Sequence, residues 1–249
     1  MIVPAGVLIA AAALAAPPVQ LDPQHLPALP EQGLAMQLRA GVQLQTMQGR
    51  ALGVLHGLAL APDKATGSGL ILRDRQARLF VVDVGNRRVR RITERRSPVR
   101  GCRVTDTRVG LELLACGHTV KTARYRSAAK PTIRTVARAP GRVGHWERAE
   151  LAPSGSAFLA QWSAECEVPV AFLVAGGVMR PYGGKAIRDA PASVALGWLR
   201  NGNALILFPN GACGGGFRRP GIYSVPRNGK PELLIPTPSR SASYWMWGG

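Results

Sequence analysis

The sequence predicts an all-β fold, a β-propeller of four to five four-stranded blades, on the basis of three observations. First, residues 151–160 and 198–207 share one pattern and align on Gly155 and Gly202, which are 47 residues apart. Second, each repeat contains two turns: one near the aligned glycine and one between that turn and the next. Each period therefore holds two hairpins and four short strands. Third, the chain contains 29 Gly and 20 Pro, which leave few windows long enough for a helix. A fixed period of this length is typical of repeat architectures, and four strands make one propeller blade.

Two sets of turns define the repeat. In the first set, a polar turn precedes an apolar run, which is the pattern of a tight hairpin leading into a buried strand. These turns lie near residues 63, 108, 155 and 202. The second set lies at Asn86, Ala129, Gly177 and Gly229, with spacings of 43, 48 and 52 residues. A sandwich of short strands is the alternative all-β fold, but it does not explain a fixed period.

Both ends of the chain supply strands beyond the four full repeats. Residues 42–47 and 50–55 have the pattern of a hairpin, and residues 243–247 (Ser-Tyr-Trp-Met-Trp) have that of one strand. Residues 37–48 are the best candidate for a helix, although their pattern is weak. We expect the aromatic residues near the C-terminus to pack in the core, with ligand stacking as the alternative.

Four turn sequences carry a resemblance to a known family. They are Ala-Pro-Asp-Lys at 61–64, Thr-Asp-Thr-Arg at 105–108, Ala-Pro-Ser-Gly at 152–155 and Leu-Arg-Asn-Gly at 199–202. These turns resemble those of the TolB-like, WD-type β-propeller repeats, whose blades carry a Ser-Pro-Asp-Gly-like turn before an apolar strand. The resemblance covers residues 57–236, no turn keeps the full motif, and what it implies is architecture and hardly function. It also implies a ring closed by N- and C-terminal strands that share one blade. We therefore expect five blades, four complete and one shared, in preference to a ring of four blades.

The N-terminus predicts export. Residues 2–16 are apolar and rich in Ala, and this run is too short to span a bilayer as a helix, which requires about 20 residues. We interpret residues 1–16 as a signal peptide with a cleavage box at 13–15, although a basic segment before the apolar run is missing. Residues 17–30 are then a Pro-rich linker and residues 31–249 a single propeller domain. The expected location is periplasmic or extracellular, with no membrane span after cleavage.

Four cysteines, an even number, agree with an oxidising compartment. Cys102 and Cys116 flank the turn near residue 108, so across a hairpin they would lie close enough to form a disulfide. Cys166 and Cys213 are 47 residues apart and therefore occupy equivalent places in consecutive repeats. A disulfide there would join neighbouring blades, and free buried thiols are the alternative. No zinc-binding spacing occurs, and we predict neither a metal site nor a cofactor.

The net charge of +18 is concentrated in one part of the chain. Residues 73–148 carry twenty Lys and Arg and six Asp and Glu, for +14, whereas residues 1–72 are neutral and residues 149–249 carry +4. Such a field attracts anionic polymers. Charges on an edge strand can also simply discourage unwanted sheet pairing. The candidate anion-binding residues are Arg87, Arg88, Arg90, Arg91, Arg95 and Arg96, on a predicted outermost strand and its following loop, and Arg218 and Arg219 after a glycine-rich loop.

The predicted function is a non-catalytic binding or scaffolding module for an envelope protein or an anionic polymer. No catalytic motif stands out, and no catalytic residue is assigned. The first alternative is a secreted hydrolase or lyase acting on polysaccharide, which would require two carboxylates to converge at the mouth of the channel. The second is a nucleic-acid binder, which requires that residues 1–16 are not a signal peptide and lacks a recognition motif. The carboxylates considered for the enzyme are Asp106, Glu112, Glu147, Glu150, Glu165, Glu167 and Asp189.

Overall fold

Five four-stranded sheets make up the regular structure of the chain. The computed structural model describes residues 19–61, 69–94, 96–126, 130–163, 169–182, 190–209, 219–228, 230–236 and 243–248. Within these ranges all regular elements are strands, every strand pair within a sheet is antiparallel, and the sheets are the blades of a five-bladed propeller. The predicted all-β propeller is therefore confirmed. In the same ranges, no helix is long and apolar enough to cross a membrane.

The blades are numbered in chain order. Blade I contains β1 (Gly33–Leu38), β2 (Gly41–Thr46), β3 (Ala51–His56) and β20 (Tyr244–Trp247). Blade II contains β4 (Leu58–Leu60), β5 (Leu70–Asp74), β6 (Leu79–Asp83) and β7 (Arg88–Ile92). Blade III contains β8 (Arg103–Arg108), β9 (Leu111–Cys116), β10 (Thr119–Arg124) and β11 (Thr132–Arg138). Blade IV contains β12 (His145–Leu151), β13 (Ala157–Ser163), β14 (Pro169–Ala175) and β15 (Val178–Pro181). Blade V contains β16 (Val194–Trp198), β17 (Ala204–Phe208), β18 (Gly221–Val225) and β19 (Glu232–Pro236).

Blade I closes the ring with strands from both ends of the chain. Its strand order is β20-β1-β2-β3, with Met36 opposite Tyr244 and Gly33 opposite Trp247. The predicted sharing of one blade is therefore confirmed. The weak helical candidate, residues 37–48, is instead the end of β1, a tight turn and β2. Gly41 fixes this hairpin against β3, because a Cβ there would lie 2.2 Å from the carbonyl oxygen of Leu55.

The predicted turns lie between strands wherever they fall in the described ranges. The turns near residues 108, 155 and 202 join β8 to β9, β12 to β13 and β16 to β17. Those at Asn86 and Gly177 join β6 to β7 and β14 to β15. The turns at Ala129 and Gly229, the turn near residue 63 and the predicted signal peptide lie outside the described residues.

The first strand of each complete blade, together with β20, lies at the centre of the ring. Neighbouring inner strands contact one another directly: the Leu151 amide on β12 donates to Asp106 Oδ2 on β8 (2.8 Å), and Trp198 Nε1 on β16 donates to the Glu150 carbonyl on β12 (3.1 Å). The apolar core fills the spaces between blades, and the last strand of each blade is the most exposed. Burial of these large side chains, at about 1.5–3 kcal/mol each, stabilises the ring.

Residues 19–26, here called the strap, run along the outer edges of blades I and II. The Leu21 amide donates to the Val54 carbonyl on β3 (2.9 Å), and the Val89 amide on β7 donates to the Pro23 carbonyl (2.6 Å). The side chains of Leu21 and Leu26 are buried. The described part of the segment interpreted as a linker thus covers two sheet edges that would otherwise offer unpaired backbone groups.

The predicted disulfide between Cys102 and Cys116 is confirmed. It joins the residue before β8 to the last residue of β9, with the two Cα atoms 4.2 Å apart. The hairpin register explains the pairing, because Arg103 lies opposite Ala115 and the next pair outward is the two cysteines. Cys166 and Cys213 lie outside the described residues.

Candidate functional site

The register of blade III determines which of its side chains face blade IV. Thr122 on β10 lies opposite Leu113 on β9 and opposite Arg134 on β11. Directly opposed residues point to the same face of a sheet, and so do residues two positions apart along a strand, such as Thr122 and Arg124. This face contains Leu111, Leu113, Thr122, Arg124, Thr132 and Arg134.

One end of the junction between blades III and IV is filled by aromatic rings. The ring centroid of Trp146 lies 5.1 Å from that of Trp162 and 5.7 Å from that of Phe172, both in edge-to-face geometry. The ring of His118 approaches Trp162 from blade III at 5.8 Å. The three large rings of blade IV are fully buried, so this end has no space for a ligand.

At the other end of the same junction the packing stops and a cleft of about 560 Å³ opens. Blade IV contributes small residues there, from the β12–β13 and β14–β15 turns. Gly176 and Gly177 in the second turn have φ of 57° and 78°, a left-handed conformation that favours glycine. Turn geometry therefore puts residues without side chains opposite the arginines of blade III, and the space between them stays open.

The cleft has an apolar bottom and a basic mouth. Leu113, Leu151, Phe158 and Val174 line it and are buried. The arginines that line it, Arg124, Arg126 and Arg134, are exposed. None of the described residues that line it is acidic.

The three arginines of the cleft have no acidic partner in the described part of the chain. None of their guanidinium groups forms an ion pair or a hydrogen bond with any residue described there. Three such groups around one cleft create a positive potential, and the fork of each guanidinium fits two oxygens of a carboxylate, phosphate or sulfate. The cleft is therefore suited to bind an anion.

A second group of charged residues, which includes Arg148, Glu150 and Asp106, lies at the centre of the ring and makes short contacts within the protein. Arg148 Nη2 on β12 donates to Glu150 Oε2 (2.6 Å), and its guanidinium lies 3.7 Å from the ring centroid of Trp245 on β20. Blade V separates these two strands around the ring, so the contact with Trp245 crosses the centre. Burial raises the pKa of Glu150, and the charge of Arg148 opposes that increase. Burial likewise lowers the pKa of Arg148, and Glu150 opposes that decrease.

Asp106 and Glu150 are the considered carboxylates that the ring centre brings together. Burial raises the pKa of Asp106, and the charge of Asp106 contributes to the raised pKa of Glu150. Asp106 accepts the amide protons of Leu151 (2.8 Å) and Thr107 (2.7 Å), while Glu150 binds Arg148. Each of the two carboxylates is therefore held by a buried partner within the ring.

Two other considered carboxylates lie within the described residues: Glu147 on β12, whose charge acts on the neighbouring Arg148, and Glu112 on β9. Glu112 is buried and accepts the hydroxyl proton of Tyr125 (2.9 Å). Glu165, Glu167 and Asp189 lie outside the described residues. Within the described ranges, no group of three His, Cys, Asp or Glu side chains could hold a metal ion.

The structure distributes the predicted anion-binding arginines over separate places. Arg87 lies in the β6–β7 turn, and Arg88, Arg90 and Arg91 lie on β7, the outermost strand of blade II, all exposed. Arg90 Nε is 3.5 Å from Asp83 Oδ2, so part of this charge is neutralised.

The other predicted arginines are separated from that strand. Arg96 lines a cavity of about 500 Å³ between β7 and β8, together with Arg100 and Arg103. Arg219 on blade V is exposed, and its carbonyl accepts the Tyr223 hydroxyl proton (2.5 Å). Arg95 and Arg218 lie outside the described residues.

Sequence reasoning did not single out the arginines of the cleft. Arg124 and Arg126 are two positions apart, which in a strand indicates a shared face, and Arg134 is ten positions from Arg124. Arginines are less dense along this stretch than along residues 87–96, where the sequence predicts an anion-binding surface. The +14 of residues 73–148 was the signal that included all three.

Comparisons with known proteins show a general likeness in structure alone. No protein family model matches the chain, and a search of curated proteins finds no match. Among solved structures, the chain is similar to the extracellular domain of a protein described as a hybrid two-component system from B. thetaiotaomicron, with a TM-score of 0.37 and 11% identity. The alignment covers 84% of this chain and 27% of that chain, so this chain spans about a quarter of the length of the solved extracellular domain. Similarity at this level assigns no function.

Proposed function

We propose that this protein is an exported, non-catalytic binding module whose partner is an anionic polymer. The observation that carries the proposal is the cleft between blades III and IV, where three exposed arginines lie along the blade III side of one opening and none of the described lining residues is acidic. A polymer with regularly spaced carboxylate, sulfate or phosphate groups can occupy several guanidinium forks at once. Because one exposed ion pair contributes only about 0–1 kcal/mol, such multiple contacts are what would make the binding useful.

The charge around the cleft supports the same proposal. Blades II and III lie within residues 58–138, which fall mostly in the segment of +14. Exposed Lys130 and Arg138 flank the cleft arginines along blade III. A continuous positive field increases the association rate of a polyanion and makes its affinity dependent on salt.

Two further features support export and a role without catalysis. The disulfide between Cys102 and Cys116 is of a kind that forms and persists in oxidising compartments. The carboxylates at the ring centre are held by Arg148 and by backbone amides, which makes them poor candidates for proton transfer to a substrate. The intact mass of the protein from its native host tests export directly. We expect a mass that lacks about the first 16 residues, with Cys102 and Cys116 alkylated only after reduction.

Binding to dextran sulfate, with unmodified dextran as the uncharged control, tests the proposed partner. We expect dextran sulfate to bind, to lose affinity as salt increases, and dextran not to bind. The double variant Arg124→Gln/Arg134→Gln should bind dextran sulfate about tenfold more weakly, because two exposed charge contacts are lost. The matched control is Arg39→Gln/Arg50→Gln on blade I, which removes the same charge at exposed residues outside the candidate anion-binding arginines. Equal losses in the two double variants would show that net charge alone drives binding and would refute the cleft as the site.

A further inference from the structure

Polymer binding does not explain the apolar bottom of the cleft. A polyanion requires exposed cations, and the arginines at the mouth supply them. Below them, however, the cleft is lined by Leu111, Leu113, Leu151, Phe158 and Val174 from two blades. An apolar surface inside a concave site stabilises a bound apolar group by removing it from water.

We infer that the cleft binds an anionic amphiphile, a molecule with an apolar body and a terminal phosphate, sulfate or carboxylate. The inference rests on the proposed function to the extent that the same arginines hold the anionic group. Burial fixes the orientation, because the apolar side chains lie at the bottom and the arginines are exposed at the mouth. The cleft volume of about 560 Å³ falls within the range of about 300–1,000 Å³ of small-molecule sites.

The orientation of the cleft favours a free monomer over a membrane surface. A bilayer presents its anionic headgroups first and keeps its acyl chains in the hydrocarbon interior. In this cleft the apolar body enters first and the anionic group remains at the mouth. A ligand that uses both parts of the site must therefore be out of the bilayer when it is bound.

Two other cavities lack this combination. The cavity of about 300 Å³ between blades IV and V is lined by Arg180 and Arg227, but its turn carries Arg227 and Asn228 where the cleft has two glycines. The cavity of about 500 Å³ between β7 and β8 has three arginines but also Glu94. Of the three, the cleft between blades III and IV has the largest volume and the most extensive buried apolar lining, from Leu113, Leu151, Phe158 and Val174, whereas Leu173 is the buried large side chain that lines the smaller cavity.

Titration calorimetry with octyl phosphate, below the concentration at which it aggregates, tests the inference. Inorganic phosphate is the control without an apolar body, and octanol is the control without charge. Each buried methylene increases affinity about fourfold, so octyl phosphate should bind on the order of a hundredfold more tightly than phosphate even when only part of its chain is buried. It should also bind about tenfold more tightly than octanol, which loses the charge contacts with the arginines. If octyl phosphate and phosphate bind equally, or if octanol matches octyl phosphate, the inference is wrong.

A pair of tryptophan variants tests where the apolar body lies. Ser156→Trp puts a large ring into the cleft from an exposed turn of blade IV and leaves the three arginines in place. Ser154→Trp puts the same ring in the same turn, at an exposed residue that does not line the cleft, and is the matched control. We expect Ser156→Trp alone to lose at least tenfold in affinity for octyl phosphate, while both variants keep the affinity of the wild-type protein for inorganic phosphate, which contacts the arginines alone.

The outcomes separate this inference from the proposed function. Unchanged octyl phosphate binding in Ser156→Trp overturns the inference, whatever the polymer does. A second result would also overturn the inference: the protein binds vesicles of anionic lipid, Ser156→Trp does not change that binding, and octyl phosphate does not bind. A membrane surface would then be the source of the anion. If the wild-type protein binds octyl phosphate but not dextran sulfate, the amphiphile site is supported and the proposal of a polymer partner is wrong. If it binds dextran sulfate but not octyl phosphate, the polymer stands and the amphiphile site is wrong.

Discussion

Arg148 and the arginines of the cleft belong to neighbouring blades, yet their surroundings are opposite. The side chain of Arg148 is 8% exposed, binds Glu150 and stacks on Trp245. Arg124, Arg126 and Arg134 are exposed and face a cleft that, within the described ranges, no acidic residue lines. A buried guanidinium requires partners to offset its desolvation, whereas an exposed one is hydrated and can exchange water for a ligand. The surroundings of an arginine in the folded protein, more than the density of arginines along the sequence, therefore separate structural from binding roles.

Deleting residues 243–249 should have the largest effect, because it removes the partner ring of Arg148 together with strand β20. The deletion takes Tyr244, Met246 and Trp247 out of the core, each worth about 1.5–3 kcal/mol of burial. It also leaves β1 without its inner neighbour. We expect a much lower Tm or no cooperative unfolding in a thermal melt monitored by circular dichroism. A deletion variant that melts like the full chain would contradict the closure of the ring by β20.

Glu150→Ala should be the next most damaging change. It leaves the charge of Arg148 buried without its carboxylate, which typically costs about 3–5 kcal/mol. Arg124→Ala in the cleft is the matched comparison and should change the free energy of unfolding by less than about 0.5 kcal/mol. Urea unfolding of both variants measures the two values. Similar losses for the two variants would remove the distinction between a structural and a binding arginine.

Removing the disulfide should separate stability from binding within blade III. Cys102 and Cys116 are 14 residues apart and lie at the packed end of the junction, whereas the cleft lies at the other end of β9. Cys102→Ala/Cys116→Ala should lower the free energy of unfolding by about 3 kcal/mol, as expected for a loop of this length. Affinity for dextran sulfate should not change while the protein is folded. A parallel loss of affinity would mean that the cleft depends on the opposite end of the blade.

The smallest effect concerns pH and the centre of the ring. Because burial raises the pKa of Asp106 above its ordinary 3.8, the folded state holds this proton more tightly than the unfolded state does. The resulting stabilisation is complete below pH 3.8 and is lost as pH rises through the pKa of the folded state. Between the unfolded and folded pKa values, the loss is at most about 1.4 kcal/mol per pH unit. Asp106→Asn does not titrate and serves as the reference in urea unfolding at a series of pH values. The stability of the wild-type protein relative to this variant should fall as pH rises, and a rise would show that the pKa is instead lowered.

The repeat could be predicted from sequence because turns and apolar runs are local patterns. The strand Gly33–Leu38 was missed and residues 37–48 suggested a helix, because burial of β1 comes from the distant Trp247, whose ring lies against Gly33. The disulfide was predictable since both cysteines lie in one hairpin, where symmetry about the turn sets the register.

The cleft could not be predicted from sequence for two physical reasons. Its arginines become neighbours only through the register of β10 and β11, which shifts at an irregularity between Val120 and Lys121. Its opening depends on the turns of a different blade, where Gly176 and Gly177 leave space. Charge density pointed to residues 87–96, which lie mostly on an outermost strand, because density along a chain does not report convergence in space.

The strap makes the ring unequal toward other protein chains. Hydrogen bonds from residues 19–26 occupy the rims of blades I and II, whereas in the described ranges no strand pairs with the outer sides of β11, β15 or β19. Among the residues that the structure describes, the edges left open for a polypeptide to extend a sheet are therefore those of blades III to V. Arg134 and Arg138 on β11 are exposed at this edge. Their positive charges oppose strand pairing with another basic chain.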